Sequence, residues 1–143
     1  MNELIENTIQ IISTISRGSK GYLLQLDENG YKVLKMWGGK SEEFELLNDV
    51  LFNLFKTDGI NTEKVAALPT VKQLLKKIPA AELFINKLVE QSDKNQVIFI
   101  LLFNNEKNRF TNEGKEKIVS ILSILSQQIS DWLEQMFEKS GRL

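Results

Sequence analysis

Apolar residues at helical spacing open the chain and predict its first helix. The stripe is wide, and Gly18 follows it as a C-terminal stop; its members are Leu4, Ile5, Ile9, Ile11, Ile12 and Ile15. Two apolar runs, Gly21–Asp27 and Tyr31–Trp37, come next and predict two strands. The dipeptide Asn29-Gly30 between them favours a tight hairpin turn.

The register of this hairpin decides which side of the sheet each residue of the second strand faces. A two-residue turn at Asn29-Gly30 sets Leu24 opposite Lys35, whereas a three-residue turn with a glycine bulge sets Leu24 opposite Leu34. One step of slip exchanges the faces, and the sequence leaves both registers open.

The middle of the chain predicts helices. A helix begins at Ser41 and has an apolar face formed by Phe44, Leu47, Leu51 and Leu54. A short helical piece starts near Thr62, and a second covers about Thr70–Ile78, between two prolines. No strand is predicted between the first and second hairpins.

A second hairpin and a long helix complete the chain. Its strands are Glu82–Glu90 and Gln96–Asn104, and every residue of Val97–Phe103 is apolar. A strand needs that composition when both of its faces are covered, so we place it centrally in the sheet. The terminal helix opens at Thr111 or Asn112, and its heptad seam is Ile118, Leu122, Leu125, Ile129, Trp132 and Met136. That seam covers the sheet and the first helix, or additionally a helix of a second subunit.

Composition excludes several function classes. The chain has 143 residues, a net charge of −1, no cysteine and no histidine. The usual general base, thiolate nucleophile and commonest metal ligands are therefore missing, and we expect no enzyme activity, no catalytic residue, no metal site and no cofactor. A near-neutral charge gives no field for nucleic acid. The N-terminus lacks a signal-peptide pattern and no apolar run is long enough to span a membrane, so a cytoplasmic protein without membrane partners is expected.

The order helix, hairpin, helix, broken helical connection, hairpin, helix resembles the GAF domain of signalling proteins over nearly the whole chain. The segment Phe110-Thr111-Asn112-Glu113-Gly114 before the apolar helix carries the resemblance best, together with Gly38. The resemblance implies one domain over 1–143. It also implies an α+β fold: an antiparallel sheet with the N- and C-terminal helices packed on one face and a helical lid on the other. Gly114 and Lys115 stand where the cyclic-nucleotide signature has an Asp-Glu pair, which weakens that ligand class.

A non-catalytic regulatory or sensory domain is the function that the resemblance implies. The alternative is a ligand-free interaction scaffold of the roadblock/longin type that regulates a small GTPase. The run Tyr22–Gly30 suits that fold about equally well. However, its sheet expects a strand after the middle helix, where this chain has the helical segment between Pro69 and Pro79.

By the same resemblance, a small ligand would lie between the sheet and a lid formed by Val65–Ala81, and the lysines of this region favour an anionic one. Lysines outnumber acids from Val65 to Lys87, although a solvated helix face explains the same pattern. The predicted ligand-binding residues are Lys35, Trp37, Lys76, Phe84 and Asn86.

The terminal helices predict a homodimer. Past Trp132 the long helix outruns strands of about eight residues, which span only ~26 Å. Its last apolar residues would then be exposed beside one side of the first helix, as in the four-helix bundles through which GAF-like sensors signal. The predicted interface residues are Ile5, Ile9, Ile12, Leu133, Met136 and Phe137, and an output domain or signalling partner would receive the signal.

Overall fold

The protein is described by a computed structural model that covers residues 2–16, 20–57, 60–78, 80, 82–104 and 110–141, without the side chains of Ser41 and 137–141. The elements in chain order are α1 (Glu3–Ile15), β1 (Lys20–Asp27), β2 (Gly30–Trp37), α2 (Ser41–Thr57), α3 (Thr62–Val65), α4 (Pro69–Lys77), β3 (Glu82–Gln91), β4 (Gln96–Asn104) and α5 (Asn112–Gly141). A single 3₁₀ turn, Ser92–Lys94, joins β3 to β4.

Local sequence explains where the helices begin. The side chain of Asn2 caps α1 by accepting a hydrogen bond of 2.9 Å from the backbone N–H of Ile5. Pro69 stands in the first turn of α4, where its missing N–H costs no helical bond. None of the helices within the described ranges has the length and apolar character needed to cross a membrane.

The four strands of the described chain form one antiparallel sheet in the order β2-β1-β4-β3. β4 is central, and its residues from Val97 to Asn104 are all buried. That burial explains why Val97–Phe103 shows no alternation, since both faces of the strand are covered. The α+β fold with an antiparallel sheet and helices at both termini is confirmed.

Two layers cover the sheet. We call the side under α1 and α5 the helix face; its buried residues include Leu23, Ile98, Ile100 and Leu102. We call the side under α2, α3 and α4 the lid face; its buried residues include Tyr22, Leu24, Leu101 and Phe103. Consecutive strand residues point to opposite faces, so each strand contributes to both layers.

The first hairpin has a register that neither predicted alternative gave. Its turn residues are Glu28 and Asn29, because Asp27 pairs with Gly30, and Leu24 lies opposite Val33. The Asp27 carboxylate accepts hydrogen bonds from the backbone N–H groups of Asn29 and Gly30 at 2.8 and 3.1 Å. This Asx-type turn closes the hairpin one residue earlier than a turn at Asn29-Gly30 would.

A β-bulge in β2 then changes which face the end of the strand presents. Leu24 pairs with Val33 but Leu23 pairs with Lys35, so Leu34 is the extra residue. Without the bulge, Lys35 and Trp37 would face the lid. With it, both lie on the helix face, opposite Leu23 and Gly21.

Candidate functional site

The interior of the lid face is filled by an aromatic stack. Tyr22, Phe44 and Phe103 pack with ring centroids 4.6 Å (Tyr22 to Phe44) and 5.2 Å (Phe44 to Phe103) apart. The hydroxyl of Tyr22 donates a hydrogen bond of 2.8 Å to Oδ1 of Asn48, and both residues are buried. Side chains from α2, α3 and α4 close the layer over this stack. The space where a lid-face ligand was predicted is therefore occupied by core residues.

Both tyrosines keep their protons over the ordinary pH range. Burial raises the pKa of Tyr22 well above its usual 10.0. Desolvation, with the neighbouring Asp49 carboxylate as a further cause, raises the pKa of Tyr31. Neither phenol is therefore activated as a base or nucleophile near neutral pH. Among the residues that the structure describes, no group of three or more acidic side chains is placed to hold a metal ion.

The predicted ligand-binding residues do not form one site. Lys35 and Trp37 lie on the helix face because of the bulge in β2. Phe84 pairs with Leu102 and Asn86 with Ile100, which places both on the helix face as well. Lys76 is exposed on α4, on the opposite side of the sheet. The structure therefore does not bring these five residues together on the lid face, because strand register places four of them in the other layer.

Three of these four helix-face side chains, those of Lys35, Trp37 and Phe84, have a structural neighbour. Lys35 Nζ lies 3.3 Å from Glu6 Oε1 of α1 in an exposed ion pair. The indole of Trp37 lies over Gly21, where any larger residue would collide with it. Nε1 of Trp37 is buried and has no hydrogen-bond partner among the described residues. Phe84 makes an edge contact with Phe110, with 6.0 Å between the ring centroids.

The dimer residues predicted on α1 are buried inside their own chain. Ile5 and Ile12 are 0% exposed and Ile9 is 4% exposed, because they pack on the helix face of the sheet. They cannot form an exposed patch, so this part of the prediction is wrong. Leu133 is half-buried against the same cluster, which also departs from the prediction. Met136 is 48% exposed, and the side chain of Phe137 lies outside the described residues.

Other apolar residues on the terminal helices do face solvent. Leu4, Ile11 and Ile124 are 64%, 51% and 55% exposed, and we call them the outer strip. The Thr8 hydroxyl donates a hydrogen bond of 2.8 Å to Oε1 of Gln128, which marks where α1 meets α5. Leu4 and Ile11 lie one turn either side of Thr8, and Ile124 lies one turn before Gln128. The outer strip therefore follows the outside of the α1–α5 contact.

The outer strip could have been found from a signal already present in the sequence. Leu4 and Ile11 are seven residues apart, and Ile124 lies beside the heptad seam rather than on it. An apolar residue that lies outside the stripe facing the sheet is the one left for solvent or a partner. The structure supplies the missing fact, namely which stripe faces the sheet.

The chain is similar in fold to a domain of known structure. No protein-family profile matches it, and no curated protein does. A crystal structure described as "the domain of putative two-component sensor histidine kinase protein from Sinorhizobium meliloti 1021" superposes with a TM-score of 0.61. The alignment covers 96% of this chain and 95% of that chain at 14% sequence identity. At this identity the similarity establishes a shared fold.

Proposed function

We propose that this chain is a non-catalytic regulatory domain of the GAF type that dimerises through its terminal helices and passes a signal along α5. The observation that carries the proposal is the outer strip. Three large apolar side chains lie exposed on a two-helix layer, and exposed apolar patches of this kind mark interaction surfaces. The fold shared with the domain of the sensor histidine kinase protein supports a role in signalling.

A two-fold pairing of these layers gives a simple way to transmit a signal. Two copies of α1 and α5 would form a four-helix bundle with the outer strips at its centre. A small rotation in one protomer would then displace both α5 helices together. An output domain or a separate signalling partner would receive that displacement.

Chemistry supports the non-catalytic part of the proposal. The whole chain lacks histidine and cysteine. Its buried tyrosine has a raised pKa and its hydroxyl is held by Asn48, so it is a poor general base. A reproducible turnover that disappears on changing a single Glu, Lys or Tyr would contradict this.

Sedimentation velocity at tens of micromolar tests the dimer. We expect a dimer that becomes a monomer when Ile11→Glu and Ile124→Glu are combined, because two charges per protomer would be buried in the bundle. Leu46→Glu is the matched control: Leu46 is 55% exposed on α2, in the layer that covers the lid face, so it should leave the dimer intact. Circular dichroism confirms that each variant is folded. A wild-type monomer, or a dimer indifferent to the double change, refutes the proposal.

The filled lid face favours a second candidate, a scaffold that works through its surface without a lid-face ligand. The roadblock/longin form of that candidate is less well supported, since the described residues between α2 and β3 form α3 and α4 rather than a strand. A thermal-shift series with nucleotides distinguishes a nucleotide sensor from such a scaffold. A bound ligand at 100 times its Kd stabilises the folded state by about 2.7 kcal/mol. No shift with any nucleotide would favour the scaffold.

A further inference from the structure

A cavity of about 300 Å³ opens on the helix face, where the last turns of α5 pass over the end of the sheet. It lies beside both hairpin turns and far from the filled lid face. Its volume is at the lower end of the range for small-molecule sites. The residues around it divide into a polar floor from the strands and an apolar wall.

The floor is a row of glutamine side chains across three neighbouring strands. Gln25 Nε2 donates to Gln96 Oε1 at 3.3 Å, and Gln96 Nε2 donates to Gln91 Oε1 at 3.1 Å. The side-chain amide of Gln91 donates no hydrogen bond to any residue that the structure describes. Further along this face the sheet is apolar, with Ile98 and Ile100 under the same helix. Polar groups placed under a helix need partners, and the Gln91 amide, which lines the cavity, can donate to a bound ligand.

The wall and the charge complete the site. Leu34, the bulged residue of β2, forms the apolar wall with Trp132, Leu133 and Met136 of α5. Lys32 pairs with Gln25 across the hairpin and so stands at the end of the glutamine row. Within the described part of the chain it makes no ion pair and no acidic side chain lines the cavity, whose lining includes Lys94 of the 3₁₀ turn as a second lysine.

We propose that this cavity binds a small organic carboxylate with an aromatic or branched apolar body. The carboxylate meets the Lys32 ammonium and the glutamine N–H groups, and none of the described side chains around the cavity is an acid that would compete for them. The body lies against the Trp132 ring and Leu34, where apolar surface is removed from water. Such a ligand touches β2 and α5 together, so its binding restrains the end of α5. The site goes beyond the dimer proposal and does not depend on it.

The test is a ¹⁵N NMR titration of the full chain with phenylacetate and with 3-methylbutanoate. We expect saturable shifts of the Trp132 indole N–H and of the glutamine side-chain amides, with Kd of about 1 mM or tighter for ligands of this size. Phenylacetamide, which has the same body without the charge, should bind more weakly. Acetate, which has the charge without the body, should also bind more weakly. The Trp37 indole lies on the same face but does not line the cavity, so its signal should stay in place.

Lys32→Gln should weaken phenylacetate binding roughly two- to fivefold, as expected for a solvent-exposed ion pair. Lys72→Gln on α4, exposed beyond the lid face, is the matched control and should change nothing. The double variant Ile11→Glu, Ile124→Glu should bind phenylacetate with unchanged affinity. The ligand-site proposal and the dimer proposal are therefore tested separately. Three results overturn the proposal: no saturable Trp132 shift up to ~20 mM of either carboxylate, equal binding of phenylacetamide, or a Lys32→Gln variant that binds like wild type.

Discussion

Removal of the Tyr22 hydroxyl should destabilise the domain by about 1–3 kcal/mol, although no cavity is created. The reason is that Asn48, the hydrogen-bond partner of this hydroxyl, stays buried after the change. Asn48 is 2% exposed and Tyr22 is 0% exposed, so water cannot replace the 2.8 Å hydrogen bond between them. In Tyr22→Phe the aromatic stack with Phe44 is kept, while Oδ1 of Asn48 loses its donor inside an apolar layer. For a domain of this size the loss corresponds to a fall in Tm of roughly 2–12 °C.

A double-mutant cycle separates this cost from the packing of the ring. Asn48→Leu alone leaves the Tyr22 hydroxyl unpaired and should cost a similar amount. The double variant replaces both polar groups by apolar ones, so it should be less destabilised than the sum of the single changes by at least ~1 kcal/mol. Urea unfolding followed by circular dichroism measures each free energy. Tyr31→Phe, at a half-buried phenol, is the control and should cost about 0.5 kcal/mol or less. Additivity of the two single changes within about 0.5 kcal/mol would show that the Tyr22 hydroxyl and the Asn48 amide are not coupled.

Two further predictions concern the same sheet. Because the pKa of Tyr22 is raised above its usual 10.0, the folded state keeps a proton that the unfolded state releases, so stability is complete below pH 10 and falls above it. The slope from this group approaches about 1.4 kcal/mol per pH unit, so in urea unfolding across that range stability should fall more steeply with pH in wild type than in Tyr22→Phe, which keeps only the contribution of Tyr31. Gly21→Ala places a methyl against the Trp37 ring and 2.8 Å from the Leu101 carbonyl oxygen. It should lose about 1–3 kcal/mol, despite the ~0.5–1 kcal/mol that replacing a strand glycine normally contributes, and a variant as stable as wild type in urea would contradict the clash.

The order and type of the elements could be predicted from the sequence. Hydrophobic periodicity is a local property, so the strands near Gly21–Asp27 and Glu82–Glu90 and the helix of the C-terminal seam could be read from it within a residue or two. The unbroken apolar run Val97–Phe103 also carried tertiary information. A strand with no polar face has no place at the surface, and β4 is indeed central.

The face of the sheet that each candidate residue occupies could not be predicted, because it depends on strand register. The Asp27 turn and the bulge at Leu34 together set the register of β2, and a single extra residue moves every later side chain to the opposite face. Lys35 and Trp37 therefore lie on the helix face and not beside the predicted lid-face ligand. The same bulge brings Leu34 into the wall of the cavity whose floor is the glutamine row.

The terminal helices show the same division between local and tertiary information. The apolar stripes of these helices were visible in the sequence. An amphipathic stripe, however, does not predict which of its residues the sheet of the same chain will cover. The sheet buries Ile5, Ile9 and Ile12, and it leaves Leu4 and Ile11 outside. Burial depends on where the whole helix lies against a surface built from distant parts of the chain. For that reason the periodicity of the sequence predicts where the helix lies along the chain, whereas only its packing shows which of its apolar residues stay exposed.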